Sequence, residues 1–288
     1  MGDGEVNIAI DWKDLDKRLD NYELHALIQI IEMEMNKNTS TEHDYSFTIC
    51  TCRVNAPKNS HNYYMNHFVS QLFLALNLAT PGCCNFYTLS IKRIDDQDDY
   101  HHYRLSSDTF ESAFCMSKQL SWPKMSTLPF SDTWSWLRSV IPTPQDIAYT
   151  RLEKAIFALF YVCQDNDLDP SILIWLAHAF EALFDTPKED ITKTLRERIA
   201  LVLGNPNKQI MKTISEFYSK RSSFVHGSME IAHPFANSVR NGEVEKLETD
   251  IRSAADFATS IVIAVLQMCV QNKWREINYA QTFTGVPL

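Results

Sequence analysis

Glycine is scarce in this chain, with seven in 288 residues, and no internal repeat or Pro- or Ser-rich linker breaks it up. A string of small modules on flexible tethers is thereby excluded, and a compact, helix-rich body is expected. The N-terminus carries no secretory apolar stretch, and seven cysteines, an odd number, give no disulfide framework. Both features point to a reduced, cytoplasmic setting. Long hydrophobic runs are missing too. The longest, residues 257–270, is too short to span a bilayer and reads as a buried core helix, so no membrane partner is expected.

Positive charge is in deficit overall, with a formal net charge of -9, which excludes a surface coated for nucleic-acid binding. The sum hides an asymmetry. Between Thr186 and His226 eight Lys or Arg face four acids, so that segment is +4 and the remainder -13.

What is present suffices for two cores, since 288 residues at 45% hydrophobic exceed the usual single-domain size. Residues 1–130 read as an α+β domain with a sensing or regulatory role. Residues 45–54 and 85–94 are β-branched and aromatic with two-residue alternation, as strands are. Between them Met65, Phe68, Val69, Leu72, Phe73 and Leu76 follow helical spacing, closed by Pro81-Gly82. Residues 24–35 suit a helix or, in their second half, a strand. Residues 121–144, with Pro123, Pro129, Pro142, Pro144, Trp122, Trp134 and Trp136, suggest an ordered connector.

Residues 131–288 read as a helical bundle. Leu152, Ala155, Ile156, Leu159 and Phe160 define one helix, and Asp169-Pro170 is an N-cap with Pro at the first helical position of the next. Thr186-Pro187-Lys188-Glu189 reads as a capping box, and Gly204-Asn205-Pro206 as the stop of the helix it opens. A last long helix is expected from about Glu243 to Trp274. Five helices with short connections make a bundle.

The stretch from Phe217 to Gly227 is where chemistry can be sought. Ile210, Ile214, Phe217 and Tyr218 form the inward stripe of an amphipathic helix, which brings Lys220, Arg221 and Ser222 to its last turns before Gly227 stops it. Arg221 and His226 are five residues apart, roughly 140° of helical rotation, whereas Ser222 and His226 share a face. A site using both Arg221 and His226 therefore needs a bend at the helix end or a second copy of the chain.

Three blocks, Leu176 to Phe184, Ile191 through Arg196-Glu197-Arg198 to Gly204, and Tyr218 through Arg221-Ser222 to Val225-His226-Gly227, resemble the HEPN superfamily and within it the Apea-like branch, over roughly residues 145–275. The resemblance implies a helical bundle that pairs as a homodimer with its motif helices facing. In catalytic members it implies a metal-independent RNA endonuclease, such as serves prokaryotes as a toxin or antiviral effector, with no cofactor and no metal. Arg221 and His226 match the family's catalytic pair. Ser222 holds the polar position after the Arg, and Glu181 and Arg198 also fall on the pattern, without an assigned role. A trigger or regulatory partner is expected at the N-terminal part, and the alternative is a non-catalytic module for dimerisation and ligand or partner binding.

The residue types suit RNA cleavage. Histidine can serve as base or acid near neutrality, and arginine brings a permanent charge and a fork that fits phosphate. Ser222 could hold a phosphate oxygen or the imidazole, Lys220 could steer the strand, and Tyr218 supports both from the same helix. The bland alternative pairs Arg221 with Glu181 or Glu216 and leaves His226 as a helix cap. Residues 95–102, rich in Asp and His, read as a solvated turn, Cys50, Cys52, Cys83 and Cys84 lack the usual zinc spacing, and His178 reads as a core histidine.

Overall fold

The computed structural model describes residues 61–86, 90–92, 100–102, 104–142, 145–164, 169–187, 189–233, 235–236 and 241–280. Along these run α1 (His61–Ala79), β1 (Ser90–Lys92), β2 (Tyr100–His102), α2 (Asp108–Leu120), α3 (Phe130–Val140), α4 (Arg151–Val162), α5 (Ile172–Phe184), α6 (Ile191–Leu203), α7 (Lys208–Val225) and α8 (Gly242–Asn272). By contact the chain divides into two units, Met1–Leu72 and Phe73–Leu288, so the division falls inside α1. In the first unit the described turns of α1 set Tyr63 edge-on to Tyr64 and to His67. Residues 73–130, expected to belong with the N-terminal part, fall in the second unit.

The expectation of an α+β domain over residues 1–130 is corrected. Among the described residues eight helices carry the architecture, and extended pairing amounts to an antiparallel ribbon of three residues a side, Ile91 opposite His101, and one isolated bridge between Leu105 and Gln164. The strand expected at residues 45–54 and the ambiguous segment 24–35 lie outside the described residues. The physical reason for the rest is burial. Residues 104–142 become α2 and α3, which cover the sides of α8.

Helix α2 owes its ends to charge, with Asp108 and Glu111 in the first turn and Lys118 in the last, each placed to complement the helix dipole. It buries only Phe110, Ala113 and Ser117, too faint a stripe to stand out in sequence. Its position is fixed by Gly82, whose φ of +82° and whose spacing from Glu111 leave no room for a side chain: a Cβ there would stand 2.6 Å from that of Glu111. The Asn77 carboxamide ties the same turn, donating to Phe73 O and Cys84 O and accepting from Gly82 N. The Trp136 indole of α3 donates to Trp274 O at 2.7 Å, which fixes the chain leaving α8.

Helix α4 opens on a true capping box: Thr150 accepts from Glu153 N, and the Glu153 carboxylate accepts from Thr150 N at 2.8 Å. The box expected at Thr186 does not form. Thr186 N donates to Glu181 O, prolonging the end of α5, and α6 begins only at Ile191. Likewise α5 begins at Ile172 after Asp169 accepts from Ser171 N. The stops at Gly204 and Gly227 lie where expected.

Helix α8 spans 31 residues, and from Ala254 to Val270 every side chain but Met268 is buried. By length and composition it could cross a bilayer, yet most of it is enclosed by the other helices of the chain. The apolar run 257–270 is thus the axle of the bundle, packed on α2, α5, α7, α3 and α6. Enclosure on all sides explains an apolar pattern that is continuous rather than striped.

One carboxyl sits within this stretch. Asp256 is 7% exposed, and burial, opposed by the nearby Arg252 guanidinium, pushes its pKa up to about 7. An acid whose folded pKa lies above its unfolded value of about 4 binds its proton more tightly when folded, so stability falls as pH rises from about 4 to about 7 and levels off above. Asp256→Asn is expected to remove that slope and to raise stability at pH 7.5 by something on the order of 2–4 kcal/mol. Thermal unfolding from pH 5 to 8 checks this; parallel curves for parent and variant would refute it.

Candidate functional site

Helix α7 is built as its spacing predicts. The Asn207 side chain caps it by accepting from Ile210 N at 2.9 Å, and Ile210, Ile214, Phe217 and Tyr218 are buried. Phe180 of α5, with no exposed surface, stands between Phe217 at 5.3 Å, Tyr218 at 6.5 Å and Phe184 at 6.1 Å, measured between ring centres. This aromatic knot sets α7 against α5, and therefore fixes what Arg221 can reach.

The helix ends in a Schellman motif: Ser228 N donates to Ser223 O and Gly227 N to Phe224 O. Gly227 holds φ at +71° with open space around its Cα, so glycine is needed there for conformation alone. His226 is the cap residue, its N–H donating to Ser222 O at 2.9 Å. Its imidazole is exposed and Ser222 is half-buried.

Arg221 turns toward α5. Its Nη2 lies 4.0 Å from Glu181 Oε1, with the two side chains 31% and 33% exposed. That distance is an ion pair and too long for a hydrogen bond. Arg221 Nε, Glu181 Oε1 and the Tyr218 hydroxyl are buried atoms that make no hydrogen bond within the chain. Burial raises the Tyr218 pKa, the Glu181 carboxylate adds to the rise and the Arg221 guanidinium opposes it. The phenol is accordingly a neutral donor at any physiological pH.

Lys220 points the other way. It pairs with Asp250 of α8 at 3.6 Å on the wall of a groove of about 620 Å³ that Ser219, Ser223 and Ser228 also line. The helix thus separates the two neighbouring cations, Arg221 to α5 and Lys220 to α8. Tyr218, Arg221 and Glu181 are brought together; Lys220 is not with them, and His226 stands at the open end of α7. Of the two acids weighed as partners of Arg221, Glu216 is taken by Lys212 at 3.2 Å.

The positive excess over residues 186–226 is partly cancelled in three dimensions. Arg198, Lys220 and Arg221 meet Asp185, Asp250 and Glu181, all from outside that segment. Arg198 acquires a role that the sequence could not assign. It donates to Phe184 O at 2.6 Å and to Asp185 O, capping α5, and lies over the Tyr279 ring. Tyr279 donates to Leu183 O, and Arg151 joins Asp185 at 2.7 Å. The sequence reading missed Asp185, Arg151 and Tyr279, because their link exists only once α4, α5, α6 and the segment after α8 are folded together.

His178 is exposed, not buried as expected. Burial pushes the Cys83 and Cys84 thiols up to about 12 and 11, with Cys84 itself adding to the rise at Cys83. Cys50, Cys52 and most of residues 95–102 lie outside the described residues. Among the described residues no three His, Cys, Asp or Glu side chains gather as a metal site would need. Comparison with protein-family models, with curated proteins and with solved structures finds no match for the chain.

Proposed function

We propose that the chain is a metal-independent RNA endonuclease of HEPN type that acts as a homodimer, with Arg221 and His226 as its catalytic pair. The observation that carries this reading is the state of Arg221. It is oriented by Glu181 and packed beside Tyr218, yet keeps 31% of its side chain exposed, two turns or less from an exposed imidazole at the end of the same helix. A phosphate drawn to that guanidinium would meet a charge already aimed, in a partly desolvated setting where its field is strong.

The chemistry assigned to these groups is attack of the 2′-hydroxyl on the adjacent phosphorus. One His226 takes the hydroxyl proton and the His226 of a second copy protonates the leaving 5′-oxygen, while Arg221 balances the charge of the transition state. Two copies supply base and acid from one motif. Ser222, on the face of His226, is the group placed to orient the imidazole.

The second reading, a non-catalytic dimerisation and binding module, is favoured by Glu181, whose carboxylate lies opposite Arg221 and would repel a phosphate there. The two readings separate in one assay. The parent, Arg221→Ala and His226→Ala proteins are incubated with labelled single-stranded RNA in EDTA. Cutting by the parent that both changes abolish is the expected result, and inertness of all three leaves the binding module.

A further inference from the structure

An aromatic stack joins α4 to α5 at the surface of the bundle. Tyr161 of α4 and Trp175 of α5 stack flat on one another, ring centres 3.9 Å apart and planes within 5°. Tyr161 is nonetheless 46% exposed. Inside the bundle Phe180 meets Phe184 edge-on and Phe217 at a tilt, and it lies roughly parallel to Tyr218 only at 6.5 Å. The two helices pack on one another, and Leu152, Ala155, Ile156 and Leu159 of α4 and Leu173, Leu176 and Ala177 of α5 are all buried. The stacked pair is a further contact between the two helices, with Trp175 half-buried and Tyr161 open to solvent.

From Trp175 the same face of the helix leads to the candidate site. At 100° per residue Trp175, His178 and Glu181 fall within an arc of roughly 120°, and the rise from first to last is about 9 Å. Burial agrees with the geometry, since His178 is exposed while its neighbours Ala177 and Ala179 are buried. Glu181 at the far end is the residue that faces Arg221. An aromatic stack, an imidazole and a carboxylate thus follow one another along α5, and the carboxylate meets the Arg221 guanidinium of α7.

We infer that this face is a base-binding subsite for single-stranded RNA, in which an unstacked base lies on the Tyr161–Trp175 platform and His178 contacts the chain between that base and the phosphate at Arg221. The inference rests on the nuclease reading above and adds to it the place where a base of the strand is held, by stacking that tolerates any base. Stacking of a base on an aromatic side chain is a general device of single-strand binding, and every base has a face to offer. A paired duplex has none free, so the subsite selects against it.

The test uses the full chain with His226→Ala as background, so that bound RNA is not consumed, and measures binding of a labelled single-stranded oligoribonucleotide and of the same sequence as a duplex. Tyr161→Ala is expected to weaken single-strand binding about tenfold with a small fall in melting temperature from loss of the stack on Trp175, and Tyr161→Phe to restore both. Trp175→Leu is expected to act in the same direction. With His226 present, Tyr161→Ala is expected to raise KM and leave kcat unchanged. If the chain binds and cuts RNA but is indifferent to Tyr161→Ala, or binds duplex as well as single strand, the subsite falls and the nuclease reading stands. A parent protein that neither binds nor cuts RNA overturns both.

Discussion

His226→Ala is expected to slow RNA cleavage by about 10²–10⁴-fold, the usual worth of a positioned acid or base, with the melting temperature unchanged. The second half of that statement makes the first informative. The imidazole of His226 is exposed, and the residue's contribution to the fold is its backbone N–H, which donates to Ser222 O whatever the side chain. Alanine keeps that bond and the Schellman turn at Gly227. A loss of activity would therefore report on chemistry, not on unfolding. The same cannot be said of Arg221→Ala, which leaves the Glu181 carboxylate facing Tyr218 without its ion-pair partner and so carries a structural cost of its own. Rates are read as single-turnover cleavage of labelled RNA beside thermal unfolding of the same preparations. Unchanged cleavage in His226→Ala would remove the imidazole from the mechanism.

Phe180→Ala is expected to cost about 3–5 kcal/mol of stability, the range for removing a buried aromatic ring. The ring is fully buried and touches Phe184, Phe217 and Tyr218, so its loss opens a cavity between α5 and α7 at the place where Glu181 and Arg221 depend on the spacing of those helices. A denaturant titration gives the size of the effect. Phe180→Leu, which fills most of the same space, is expected to lose much less. Equal losses would show that the aromatic contacts and not the volume are what hold the two helices.

The sequence disclosed what depends on short-range rules. The inward stripe of α7, its stop at Gly227, the stop of α6 at Gly204 and the span of α8 all follow from spacing and from the need for positive φ at two glycines. It concealed what depends on distant partners. Thr186 and Glu189 have the form of a capping box, but α5 claims Thr186 N through Glu181 O. Helix α2 buries only Phe110, Ala113 and Ser117, and α2 and α3 both serve as walls for α8. His178 sits among Leu176, Ala177, Ala179 and Phe180 in sequence, which suggests a core position. Helical rotation sets it about 60° from Trp175 and Glu181, both half-buried, and away from the buried Leu173, Leu176 and Phe180. The site shows the same division. Arg221 and His226 could be singled out from their helix, whereas the pairing of Arg221 with Glu181 and the capping of α5 by Arg198 needed the fold.

The central claim is that the Arg221 and His226 motif cuts RNA through the 2′-hydroxyl without a metal ion, and the chemistry of the cut ends tests it most directly. RNA digested by the parent protein in the presence of EDTA is expected to end in a 2′,3′-cyclic phosphate on one fragment and a 5′-hydroxyl on the other, with DNA of the same sequence left intact. Fragments ending in a 3′-hydroxyl, cleavage of the DNA, or cutting that persists when Arg221 and His226 are both alanine would contradict it.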